Sequence, residues 1–296
     1  MSNELWIAVV AGLSGMLGWG SADFFAKKTI DKIGPIPSLV WAHLFGTSIL
    51  FLVALSQWFV TGKLFYIPSS TNEWGALIFF GVLQMIVYWL VYEGFGKGQI
   101  AVLNPIFASF SGIVAIISVL FFGEIVSNNL ILVLLLVFGG VMMLNIDMKG
   151  LQSKRLNIVP GLREVGAATI LAAVWTLGWD IVVGGHDFVS YAFFMYAFMT
   201  IAAFFIAKVK KEKLTHIKKD LWKYLILIGV GETIAYLGIS YGYSQTSLTS
   251  VVALISGAFS LPTIILARVF LHEKTTRIQT VGSLIIIAGV ILLAII

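Results

Sequence analysis

Glu232 stands in the middle of the apolar run 222–243, roughly ten residues from either edge. A carboxyl at the centre of a bilayer costs about 2.5–3.5 kcal/mol on insertion scales, so such a residue is a functional candidate by default. No Lys or Arg lies at comparable depth in any apolar run of the chain. Glu232 must therefore be protonated, face water or meet a cationic ligand. Its chemistry is the binding of a proton or a cationic group; a protonated structural Glu bonded to a neighbouring helix is the plainer alternative. Gly229, Glu232, Tyr236 and Ser240 recur at three- and four-residue spacing, which puts them on one helix face. Gln84, Tyr88 and Tyr92 do the same in 74–95. Polar stripes of this kind either line a cavity or hold helices together, because polar side chains also bond across helices.

Other residues join this list by depth and type. His43 is the sole His within an apolar run; imidazole titrates near neutral pH and shuttles protons, or simply hydrogen-bonds. Asp23 shares a face with Gly15 and Trp19, with Lys27 four residues on. That spacing fits an i,i+4 ion pair at the interface as well as a gating or coupling role. Asp180, Glu93 and the neighbours Arg163-Glu164 fall near run ends, where interfacial pairing is expected. Trp19, Trp175 and Trp179 are deep enough to stack on a ligand. Asn104-Pro105 opens the run 99–122, and Pro frees a carbonyl there. A small-residue stripe follows from Asn104 to Ser118, answered by Ser250, Ala253, Gly257, Ser260 and Pro262; close helix packing is expected of both, with Pro105 and Pro262 as hinge candidates. His186, His216 and His272 are too scattered for a metal site. The chain has no Cys, hence no thiolate nucleophile, disulfide framework or Cys-based metal site. HExxH, GxSxG and Walker A patterns are missing, and no cofactor is expected. Gly94, Gly96 and Gly98 read as a turn between two spans.

The elements that hold these residues follow from composition. Of 296 residues, 59% are hydrophobic and 11% charged, against about half and a quarter in a soluble domain. A soluble enzyme, a disordered chain and a nucleic-acid-binding module are excluded. A membrane helix needs about 20 apolar residues, and the chain offers ten such stretches, roughly 5–25, 37–60, 74–95, 99–122, 128–146, 162–183, 188–207, 222–243, 247–271 and 278–296. The first lacks the basic leader and cleavage pattern of a secretory signal. Of 19 Lys and Arg, only Lys63 falls outside the odd-numbered loops and their flanks. Short cytoplasmic loops retain basic residues, so a multi-pass cell-membrane protein with both termini extracytoplasmic is expected. The net charge of +5 then reports topology, and the Lys208–Lys219 run is a solvated loop or touches anionic headgroups.

The seam falls after the fifth span. Five is odd, so two similar halves would be inverted relative to each other. A shift of 149 residues lays Glu124 on Glu273, Gly140 on Gly289, Ser111 on Ser260 and Tyr92 on Tyr241, and Trp19 with Asp23 is echoed by Trp175 with Trp179-Asp180. With Trp19-Gly20-Ser21 and Asp23-Phe24 in span 1, Glu124 and Glu273 closing spans 4 and 9, and Gly-Val pairs in spans 5 and 10, the chain resembles a ten-helix, EamA-type member of the drug/metabolite transporter superfamily. The resemblance implies an all-α integral membrane fold of two inverted five-helix repeats, with a central cavity and alternating access. Many relatives carry a basic residue in span 2. This chain has Trp41-Ala42-His43 there, so anion recognition does not carry over.

The expected division is a first repeat at 1–148, a cytoplasmic linker at 149–160 and a second repeat at 161–296. The expected function is a secondary-active transporter of a small organic metabolite (amino acid, amine, sugar or drug-like solute), proton-coupled. Glu232, Gln84, Tyr88, Tyr236, Asn104, Trp19, Trp175 and His43 are the expected substrate-binding residues, with Glu232 and Asp23 for coupling or gating. An uncoupled facilitator of an uncharged solute and a flippase of a lipid-linked intermediate are the alternatives. Partners are the solute and the lipid bilayer; a monomer suffices and a homodimer is compatible.

Overall fold

The computed structural model of the protein describes residues 3–62, 65–97, 103, 106–145, 160–215, 217–270, 272 and 276–293. Among them every regular element is helical. The helices are α1 (Asn3–Ile33), α2 (Pro35–Thr61), α3 (Thr71–Lys97), α4 (Phe110–Phe121), α5 (Asn128–Asn145), α6 (Leu162–Val183), α7 (Phe188–Val209) and α8 (Lys219–Gln245). A 3-10 turn, Gly257–Phe259, separates α9 (Thr249–Ser256) from α10 (Ser260–Phe270), and α11 is Arg277–Leu293. Seven segments are long and apolar enough to cross a membrane: α1, α2, most of α3, α6, α7, α8 and α9–α10 taken together. Shorter apolar helices, Ile106–Phe121, Asn128–Leu144 and Arg277–Leu293, occupy the remaining expected positions. Large apolar side chains such as Phe59, Phe121, Ile125 and Phe270 point outward, as a lipid-facing surface requires and a water-facing one does not.

Several helices outrun the apolar stretches. α1 continues past the expected edge to Ile33, because lysines end hydropathy without ending a helix; Lys28 and Lys32 ride its last turns. The first connection shrinks to Gly34, whose φ of 85° suits glycine, followed by Pro35 at the start of α2. α3 runs through Gly94 and Gly96 to Lys97, so those glycines are helical rather than a turn; Gly98 lies outside the described residues. Asp187 caps α7 by accepting from the Ser190 amide at 2.7 Å.

The break between α9 and α10 sits upstream of Pro262. Proline cannot donate to the Ala258 carbonyl four residues back, and Ala258 departs from helical geometry with ψ of 16°. α1 packs into this break: the Thr263 hydroxyl donates to the Gly20 carbonyl at 2.8 Å. Pro105 lies outside the described residues.

The most extensive contacts pair α1 with α8, α5 with α11, α3 with α6 and α2 with α7, followed by α2 with α8, α3 with α7, α1 with α9 and α4 with α9. Between membrane helices the drive is close packing rather than water exclusion, so small residues set the approach. A Cβ on Gly231 would lie 2.7 Å from the Gly18 carbonyl oxygen, and one on Gly229 would lie 2.8 Å from the Gly46 amide nitrogen. α8 is thus held against the backbones of both α1 and α2 on either side of Glu232. Gly231→Leu is expected to destabilise the protein by at least the roughly 1–3 kcal/mol of an overpacked core. Gly75, where an added Cβ meets nothing within 4 Å, is the control: Gly75→Ala should raise or preserve the melting temperature measured in detergent.

Candidate functional site: a buried carboxyl in an aromatic cluster

Glu232 is equidistant from the two ends of α8, and Gln84 is likewise central in α3. Glu232 is 4% exposed. Tyr196 of α7 donates its hydroxyl to Glu232 Oε2 in a short hydrogen bond. The same oxygen lies 3.6 Å from His43 Nε2 of α2. His43 is fully buried, and its Nδ1 sits 2.7 Å from the Leu39 carbonyl oxygen. A carbonyl only accepts, so Nδ1 carries a proton, and Nε2 is the nitrogen that faces Glu232. The imidazole stacks on Tyr196 with centroids 5.2 Å apart. Carboxyl, phenol and imidazole therefore form one compact group with no Lys or Arg in it.

The rest of the stripe on α8 meets three other helices. Gln84 Nε2 donates to the Tyr236 hydroxyl at 3.0 Å, which is also hydrogen-bonded to Tyr88. Tyr236 receives the edges or faces of Trp19 at 5.7 Å, Trp175 at 5.8 Å and Tyr196 at 5.2 Å, distances at which aromatic pairs attract beyond their buried area. Trp175 spends its only donor on the Phe80 carbonyl at 3.0 Å, so it offers a ring and no free polar atom. Trp179 donates to Ser240 at 2.9 Å. Gly229 faces α2, as its close approach to Gly46 shows.

Expected residues thus fall into a centre and its surroundings. Glu232, His43, Gln84, Tyr88, Tyr236, Trp19 and Trp175 come together. Asp23 is exposed, on the Trp19 face of α1, and lies within electrostatic reach of Glu232 and Tyr92. Asn104 lies outside the described residues. Tyr196 escaped sequence reading, although it touches Glu232 directly; it sits among Phe and Tyr neighbours in α7, where its type carries no distinction. Glu93 is interfacial, paired with Lys97 at 2.8 Å and Lys210 at 3.6 Å. Glu164 pairs with Lys97 at 2.9 Å across the α3–α6 contact, and its neighbour Arg163 adds a weaker electrostatic attraction.

The two ends of the bundle differ. At the lysine-bearing end a cleft of about 280 Å³ is lined by Pro35, Ile36, Leu39, Trp89, Tyr92, Glu93 and Lys97; Leu39 is the residue whose carbonyl holds His43. At the other end, Glu124 accepts from the Ser250 amide at 3.0 Å and from its hydroxyl. Burial pushes the Glu124 carboxyl above its ordinary value, while those two donors hold it down. Thr249 donates to Asp180 at 2.7 Å and Tyr191 to Glu73 at 2.8 Å, so this end is tied together by side chains.

An all-helical fold with outward apolar side chains and a polar centre defines a multi-pass membrane protein. The sequence matches the family model for the EamA-like transporter family over residues 6–146 and 165–295, and the chain belongs to that family, one of membrane transporters of small solutes rather than of enzymes. One solved crystal structure superposes with a TM-score of 0.77 over 96% of this chain and 95% of its own, at 13% sequence identity; that likeness is of fold alone. No curated protein matches significantly.

The contact between Glu232 and Tyr196 generates a measurable coupling. In a double-mutant cycle of Tyr196→Phe and Glu232→Gln, the stability losses should be non-additive by about 0.5–3 kcal/mol, as for residues in direct contact. Additive losses in detergent unfolding would show that the hydrogen bond is not made.

Proposed function

We propose that the protein is a proton-coupled secondary transporter of a small organic solute across the cell membrane, with Glu232 as the group that alternately holds a proton and solute. The observation that carries this reading is a carboxyl buried at mid-helix with a phenol donor and an imidazole nitrogen around it, and no Lys or Arg side chain. His43 gives the proton of Glu232 a second site at close range, and Tyr196 stabilises the ionised carboxylate by donating to it. Binding of solute at Gln84, Tyr88, Tyr236 and Trp19 then competes with the proton for one carboxylate, and that competition couples the two.

Alternating access in this reading uses two inverted five-helix repeats, 1–148 and 161–296, joined by a linker at 149–160. The pairing of helices supports it. Exchanging each helix of the first repeat for its counterpart in the second maps α1 with α8 onto α6 with α3 and α2 with α8 onto α7 with α3, and leaves α2 with α7, α4 with α9 and α5 with α11 unchanged. Ten spans put the lysine-bearing end in the cytoplasm and both termini outside. The conformation with the cleft at that end and side-chain ties at the other corresponds to access from the cytoplasm. A monomer holds the complete site.

In proteoliposomes, an imposed pH gradient should drive solute accumulation by the native protein and not by Glu232→Gln, while Glu232→Gln retains exchange of pre-loaded solute. Uncoupled uptake that is the same in both proteins would instead assign a facilitator. For topology, a Cys introduced at Lys211 in this Cys-free chain should resist an impermeant thiol reagent in intact cells and react after permeabilisation. Ready labelling in intact cells would reverse the orientation.

A further inference from the structure

We infer that the solute is a small protonated primary or secondary amine that also carries an oxygen acceptor; this rests on the proposed binding role of Glu232. Buried polar atoms without a hydrogen-bond partner are rare and costly. Among the described residues they are Trp19 Nε1, His43 Nε2, Gln84 Oε1, Trp89 Nε1 and Ser118 Oγ. The first three belong to the side chains that surround Tyr236 and Glu232. His43 and Gln84 are themselves 0% and 6% exposed, so water does not readily satisfy them.

Their polarity specifies the missing partner. Gln84 has committed its amide nitrogen to Tyr236 and presents a carbonyl oxygen. His43 has committed Nδ1 to Leu39 and turns Nε2 toward Glu232. The Gln84 carbonyl and the Glu232 carboxylate are acceptors that call for N–H donors. The indole of Trp19 is a donor only and calls for one oxygen acceptor. An anionic solute would face Glu232 with no cation to receive it. A quaternary ammonium would satisfy the carboxylate and the aromatic faces of Trp19, Tyr88 and Tyr236, yet would leave the Gln84 carbonyl unpaired. A protonated amine with N–H groups satisfies carboxylate, rings and carbonyl together.

The test is equilibrium binding, which stands apart from transport. Purified full-length protein is titrated by calorimetry with ethanolamine and its N-methyl, N,N-dimethyl and N,N,N-trimethyl derivatives, and with the same series built on tyramine. Affinity should fall with each added methyl group, the quaternary member binding about tenfold or more weakly than the primary amine, as expected for lost hydrogen bonds to buried acceptors. Gln84→Met, checked for an unchanged melting temperature, should flatten that ranking, and Glu232→Gln should weaken binding of every member about tenfold or more without abolishing it. Quaternary members that bind as tightly as primary ones, or no binding by either series, overturn the inference. If amines fail to bind while a pH gradient still drives another solute through Glu232, this inference falls alone. If Glu232→Gln binds and transports as the native protein does, the reading beneath it falls too.

Discussion

A carboxyl in the middle of an apolar bundle must be given partners, and most of the centre of this protein follows from supplying them to Glu232. Water is excluded there, and an unpaired ionised carboxylate in such a medium is prohibitive. The chain answers with a phenol that donates to it and an imidazole nitrogen 3.6 Å away. Neither is a permanent cation as an arginine or lysine would be.

The packing serves the same end. Gly18, Gly229 and Gly231 bring three helix backbones within contact distance, which leaves side chains at the neighbouring positions to turn into a shared cluster instead of wedging the helices apart. The cluster is aromatic because rings fill space and attract one another edge to face without introducing a formal charge. Tyr236 is its hub, gripped by Gln84 and Tyr88 through its hydroxyl and by three rings around its body. At the bundle end, Glu124 closes over the start of α9 from a different part of the chain, so helix capping here doubles as a tie between distant segments.

Much of this was legible in residue spacing. Period and depth singled out Glu232, Tyr236, Gln84 and Tyr88, because ionisable and amide groups stand out against a hydrocarbon background. Tyr196 did not stand out: its significance lies in a contact between residues 36 positions apart, and its own helix is crowded with rings. Helix ends were misjudged where lysines closed an apolar window while the backbone went on turning, as in α1. The break near Pro262 was foreseen in kind but lies upstream, since proline's missing donor acts on the preceding turn. The main partner of Glu164 was likewise a matter of tertiary contact, where Lys97 arrives from another helix and adds to the attraction of the adjoining Arg163.

The pairing of helices also bears on how the protein is made. α1 finds its main neighbour in α8, which begins at Lys219, long after α1 has ended at Ile33. At ordinary synthesis rates that interval is on the order of 10–40 s. The early helices enter the membrane with glycine-rich faces and, in α2 and α3, buried polar groups that have as yet no protein partner. For that time the bilayer itself, or an insertion chaperone, must tolerate them. Chain-termination products that stop before α6 would therefore be expected to be ready targets for membrane quality control.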